Sequence, residues 1–197
     1  MTKEKFEKLY KKYNHIFAPV ITKMIIENYR YCQIDEKINW GFNYNDNTAI
    51  MGTCNSNTNE IHLNILSCVE AFNNNRMYDI EYFVIHEMRH IFQHNIVKKY
   101  KNSEEVGVDK ELIEQWIYEL EHYIESVDSN GNENPDYFKQ DIEFDAYAFS
   151  FAVMKYNNKS FEELWIPSLY KGELAIQFNE TVDCWIHKFN EIKQHLE

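Results

Sequence analysis

Ile80-Glu81-Tyr82-Phe83-Val84-Ile85-His86-Glu87-Met88-Arg89-His90-Ile91-Phe92 is the stretch on which the fold turns. Its apolar residues point in nearly every direction around a helix, which marks a helix buried on most sides. A helix in that setting should not carry two imidazoles and a carboxylate unless something satisfies them. His86 and His90 stand at i and i+4, one above the other on a single face. From there both rings can bind one tetrahedral zinc ion. Glu87 is too close in sequence to be a further ligand. It can instead reach a water held on the ion and take its proton, because zinc lowers the pKa of that water towards neutrality.

A third protein ligand is needed, with one position left open. His94 extends the i, i+4 series, but three histidines on one straight helix span two turns and cannot converge on one ion. Asp141-Ile142-Glu143-Phe144-Asp145-Ala146-Tyr147-Ala148-Phe149 offers a better source. Helical spacing puts Glu143, Ala146, Tyr147 and Ser150 on one face, with Asp145 directed elsewhere. This favours Glu143 over Asp145 as the third ligand. The plainer reading of Glu143 is a carboxylate that complements the start of its helix.

Outward from these two segments the chain reads as mostly helical, with 5 Gly and 3 Pro in 197 residues. Residues 3–14 and a stretch opened by Pro19 and running to about Tyr31 predict two N-terminal helices. Residues 38–65 differ in composition. Trp40/Phe42/Tyr44, Ile50–Cys54 and Ile61/Leu63/Ile65 alternate as three short strands separated by Asn-rich turns. From residue 66 onward helices are predicted over 66–73, 80–100 (with Asp79 as cap), 108–126, 136–156 and 173–195, with a loop at 127–135. The expected fold is α+β: a single, mostly helical domain over 1–197, with one small sheet in 38–65 beside the helix that carries His86.

Net charge is −12. A face that neutralises phosphates needs clustered Lys and Arg, so the balance argues against nucleic-acid partners. Cys32, Cys54, Cys68 and Cys184 form no CxxC pair, which argues against a zinc ribbon or a disulfide framework and for reduced thiols. The N-terminal MTKEKFEKLYKKYN lacks an apolar signal core, and no apolar run has the length of a membrane span. A cytoplasmic protein without a membrane partner is expected.

HExxH followed downstream by Glu143-Phe144-Asp145-Ala146-Tyr147 resembles the gluzincin arrangement of zinc metallopeptidases. The order strand, HExxH helix, Glu helix is similar to the ImmA/IrrE-type family. The Glu143 segment also resembles the Glu-x-x-Ala-Asp signature of HtpX/Ste24-like proteases, although Tyr147 stands where that family has Asp. Met51-Gly52-Thr53-Cys54 and Ile61-His62-Leu63-Asn64 are similar to strands of SprT/YgjP-like zincins. These resemblances imply Zn2+ on His86, His90 and Glu143, Glu87 as general base, and a protein or peptide substrate. They also imply an edge strand, for which Glu60–Ile65 is the candidate, and a second electrophile, for which Tyr147, His94 and Tyr123 are candidates. A zinc-holding, partner-binding protein without turnover is the competing expectation.

Overall fold

The computed structural model describes residues 2–34, 36–48, 50–127, 132, 134–157, 159 and 163–196. Most of the loop expected at 127–135 lies outside them. The fold is α+β and mostly helical, with one three-stranded sheet. By its internal contacts the chain divides into two compact units, 1–91 and 92–197, and the division falls inside one helix. Among the described residues, no helix is long and apolar enough to cross a membrane.

The first unit opens with α1 (Thr2–Cys32), one helix where the sequence predicts two. Pro19 lies in its interior, where a proline costs about 3 kcal/mol through a missing hydrogen bond and a clash with the preceding turn. Tyr13, Phe17, Ile21, Met24 and Ile25 are all buried and keep helical spacing across the proline. Burying side chains of this size stabilises by roughly 1.5–3 kcal/mol each, which outweighs the break.

Strands β1 (Asn39–Asn43), β2 (Gly52–Asn55) and β3 (Glu60–Asn64) form the sheet in the order β1-β3-β2. β1 runs parallel to β3, and β2 antiparallel to it. β3 is therefore the central strand, with hydrogen-bonded neighbours on both sides. The expectation that Glu60–Ile65 offers a free edge fails for that reason, and β1 and β2 are the two edges. His62 pairs with Glu60 across 3.5 Å.

Asn64 ends β3 and is fully buried. Its Oδ1 accepts from the backbone N–H of Leu66, capping α2 (Ile65–Asn73), and from that of Asn45. Its Nδ2 donates to the carbonyls of Asn45, Asn47 and Ile50. One side chain thus fixes the connection that delivers the chain into β2. Helix α3 (Met77–Lys101) begins three residues before the predicted start. Asp79 sits in its first turn, paired with Arg76 at 2.8 Å rather than acting as the cap. Cys32 and Cys68 are buried free thiols in this unit, both pushed up to about 12 by burial.

The second unit contains the end of α3, then α4 (Lys110–Glu121), a 3-10 turn (Tyr137–Lys139), α5 (Asp141–Tyr156), the short α6 (Ser168–Lys171) and α7 (Ala175–Leu196). Asp109 caps α4 by accepting from the N–H groups of Glu111 and Leu112. α5 is the core of the unit: every residue from Ile142 to Ser150 is buried. Aromatic rings fill the space around it. Tyr170 stacks on Phe178 at 4.9 Å, and Phe149 meets Trp185 edge-on at 5.1 Å. The heavy aromatic content of the sequence is used as packing.

Replacing Asn64 by Ala removes its hydrogen bonds with the N–H groups of Asn45 and Leu66 and the carbonyls of Asn45, Asn47 and Ile50, although Asn47 O still accepts from Ile50 N–H and Ile50 O from Ser67 Oγ. We expect a loss of about 3 kcal/mol in urea unfolding at unchanged m-value. A loss under about 1 kcal/mol in the same experiment would mean that water replaces the amide.

Candidate metal centre

α3 is buried almost all round, through Ile80, Tyr82, Val84, Ile85, Met88, Ile91 and Phe92. Within that apolar surface lie His86, Glu87, Arg89 and His90, all buried as well. The i, i+4 spacing brings His86 Nε2 within 3.0 Å of His90 Nε2, with the rings perpendicular. Two nitrogens bound tetrahedrally to one zinc at 2.0–2.1 Å lie roughly 3.3 Å apart. The pair is therefore spaced for a shared ion.

Among the described residues, His86, His90 and Glu143 form a buried group whose ligand atoms all lie within 4.8 Å of one another. His94 and Asp145 are not part of it. Two imidazoles and one carboxylate suit zinc, a borderline ion that accepts both nitrogen and oxygen donors. The three residues fit the ion that the sequence predicts.

The position of Glu143 has a local cause. Gln140, at the N-cap of α5, makes no side-chain cap bond. The cap comes from α4 instead: Glu119 Oε1 accepts from Asp141 N–H at 2.8 Å, and its Oε2 from Ile142 N–H at 2.9 Å. Gln115 in turn donates to Glu119 at 2.8 Å. A carboxylate against the positive end of a helix is favourable on electrostatic grounds as well. The first turn of α5, which carries Glu143, is thereby locked.

The Glu143 carboxylate is itself held by two phenols. Tyr123 Oη donates to Oε1 and Tyr137 Oη to Oε2, both at 2.6 Å. Burial, and next the charge of Glu143, push the Tyr137 phenol well above the ordinary tyrosine range, so it stays a donor at neutral pH. Asp145 has a different task. Its Oδ2 accepts from Gln93 Nε2 at 2.9 Å and its Oδ1 from Trp185 Nε1 at 3.3 Å. It ties α5 to α3 and α7 within the second unit, as a structural carboxylate.

Tyr147 is buried, with its ring among Phe138, Trp165 and Tyr170. The sequence offers it, with His94 and Tyr123, as a candidate second electrophile; the tyrosines seen hydrogen-bonded to the Glu143 carboxylate are Tyr123 and Tyr137. Tyr137 was missed. The only trace it leaves in the sequence is its place at the start of the 136–156 segment. Glu87 is buried and lies against β2. A Cβ added to Gly52 would come within 3.2 Å of both Cγ and Oε1 of Glu87, and within 3.3 Å of Leu63 Cδ2. A side chain at this position would push the Glu87 side chain aside by a few tenths of an ångström.

Compared with family models, with curated proteins and with solved structures, the chain matches none.

Glu143→Ala should abolish metal uptake in a zinc titration, whereas Asp145→Ala should leave uptake in place and lower stability by about 1–3 kcal/mol by removing its hydrogen bonds from Gln93 and Trp185. The reverse order of effects on uptake would transfer the ligand role to Asp145.

Proposed function

We propose that this chain is a zinc metallopeptidase of the HExxH type, with His86, His90 and Glu143 as ligands and Glu87 as general base. The observation that carries the reading is the buried His86–His90–Glu143 group, with its donors within 4.8 Å, one residue away from a carboxylate that is not part of it. When bound, zinc supplies Lewis acidity that polarises a substrate carbonyl and makes water deprotonable at neutral pH.

Glu87 takes the proton of the attacking water on a carboxylate oxygen and returns it to the leaving amine nitrogen. β2 is the strand on which an extended peptide would lie, because it is an edge strand and its Gly52 lies against Glu87. Substrate docked there places its backbone beside the general base. Burial of Glu87 keeps bulk water from competing for that proton. An extended protein or peptide is the substrate we propose for that edge.

A catalytically silent zinc protein is the second reading, and a fourth protein ligand on the ion would favour it. The group contains three such residues, the number typical of a site that keeps one position open for chemistry.

Elemental analysis of the purified protein should find about one zinc per chain, and the His86→Ala/His90→Ala variant should lose it. No zinc in the wild type, even after its addition, would sink the proposal. Glu87→Gln should keep the metal and lose hydrolysis of casein or a quenched peptide library. Turnover surviving in that variant would remove Glu87 from the reaction. Gly52→Ala should also retain zinc while turnover drops at least about tenfold, since the new methyl displaces Glu87. Wild-type rates in Gly52→Ala would place the working position of Glu87 away from β2.

A further inference from the structure

We propose that Tyr123 and Tyr137 are a pair of positioning residues that fix Glu143 as a metal ligand, and that the affinity of the site for zinc depends on both hydroxyls. The inference rests on the metal-site reading above and concerns residues outside the HExxH motif.

A carboxylate has two oxygens with about four lone-pair directions. In Glu143 one phenol occupies one direction on each oxygen, at 2.6 Å in both cases. Two donors on opposite oxygens stop rotation about the last side-chain bond. Both phenols are neutral donors, so they hold the carboxylate without themselves compensating its charge.

The two phenols are anchored independently. Tyr137 lies in the 3-10 turn directly before α5, and its ring meets Phe138 at 5.0 Å. Tyr123 follows α4 and is held through its neighbour. Gln140 uses its side-chain amide like a strand backbone, accepting from Ile124 N–H at 2.9 Å and donating to Ile124 carbonyl oxygen at 3.0 Å. The Tyr123 and Tyr137 rings then meet edge to face at 6.2 Å. Asn134 N–H closes the connection onto Ser126 carbonyl oxygen at 2.9 Å. The two flanks of the α4–α5 connection thus converge on one carboxylate. Partners that orient a ligand from outside the coordination sphere typically contribute 10- to 100-fold to metal affinity.

The test is a zinc titration against a chelator of known affinity, on wild type, Tyr123→Phe, Tyr137→Phe and the double variant. Melting temperatures are recorded with and without added zinc. Each Phe variant removes one oxygen and keeps the ring. We expect the zinc affinity of Tyr137→Phe to fall about 10- to 100-fold and that of the double variant to fall further. The rise in melting temperature on adding zinc should shrink in step. A purely structural role would instead lower the zinc-free melting temperature and leave affinity unchanged; that result in both single variants overturns the inference. If Tyr137→Phe fails to fold, Tyr123→Phe carries the test, because Tyr123 is exposed. Zinc bound by wild type with equal affinity in all variants refutes the phenol pair alone. No zinc bound by wild type refutes the metal site and the phenol pair together.

Discussion

Two imidazole nitrogens 3.0 Å apart, inside a helix that is apolar on nearly every side, set the terms for what surrounds them. Both cannot be protonated at that distance without repulsion in a medium of low dielectric. With Glu143 they form a buried group that could hold a metal ion. The burial that makes α3 a stable core element is the same burial that forces its polar residues to find partners.

Several acids are buried in this chain, and their partners differentiate them. Glu119 takes two backbone N–H groups and starts a helix. Asp145 takes a glutamine and an indole and holds helices together. Glu81 accepts from Asn28, joining α1 to α3. Glu143 is held by two phenols, and neutral donors leave its charge in place. An unsatisfied buried polar group costs about 1–3 kcal/mol, and more when charged. At that scale each of these acids needs partners to be tolerated. Of these four acids, Glu143 is the one grouped with His86 and His90.

Much of the architecture was legible in sequence. The strands were readable from alternation, most plainly in β3, which buries Ile61 and Leu63; the longer helices after residue 66 were readable from spacing. The choice of Glu143 over Asp145 followed from helical facing, and the structure groups Glu143 with the two histidines. What escaped is non-local. Strand order depends on pairing that alternation does not encode, so β3 was taken for an edge. Pro19 reads as a helix start in isolation, and only the continuous buried stripe from Tyr13 to Ile25 carries the helix through it. Tyr137 touches Glu143 across a turn that has no helical period to follow. Glu119 caps a helix other than its own, which no local pattern announces.

The buried thiols carry a consequence for how the chain would acquire its ion. Cys32 and Cys68 are held protonated at neutral pH by burial, which pushes both up to about 12. Zinc binds the thiolate and not the thiol. In the folded protein these sulfurs, the softest donors in the first unit's core, are therefore withdrawn from competition. In the unfolded chain the same cysteines would titrate near 8.5 and capture zinc readily. For the zinc site proposed above, folding before loading would direct the ion to histidine and glutamate, whereas zinc present too early would be drawn to sulfur.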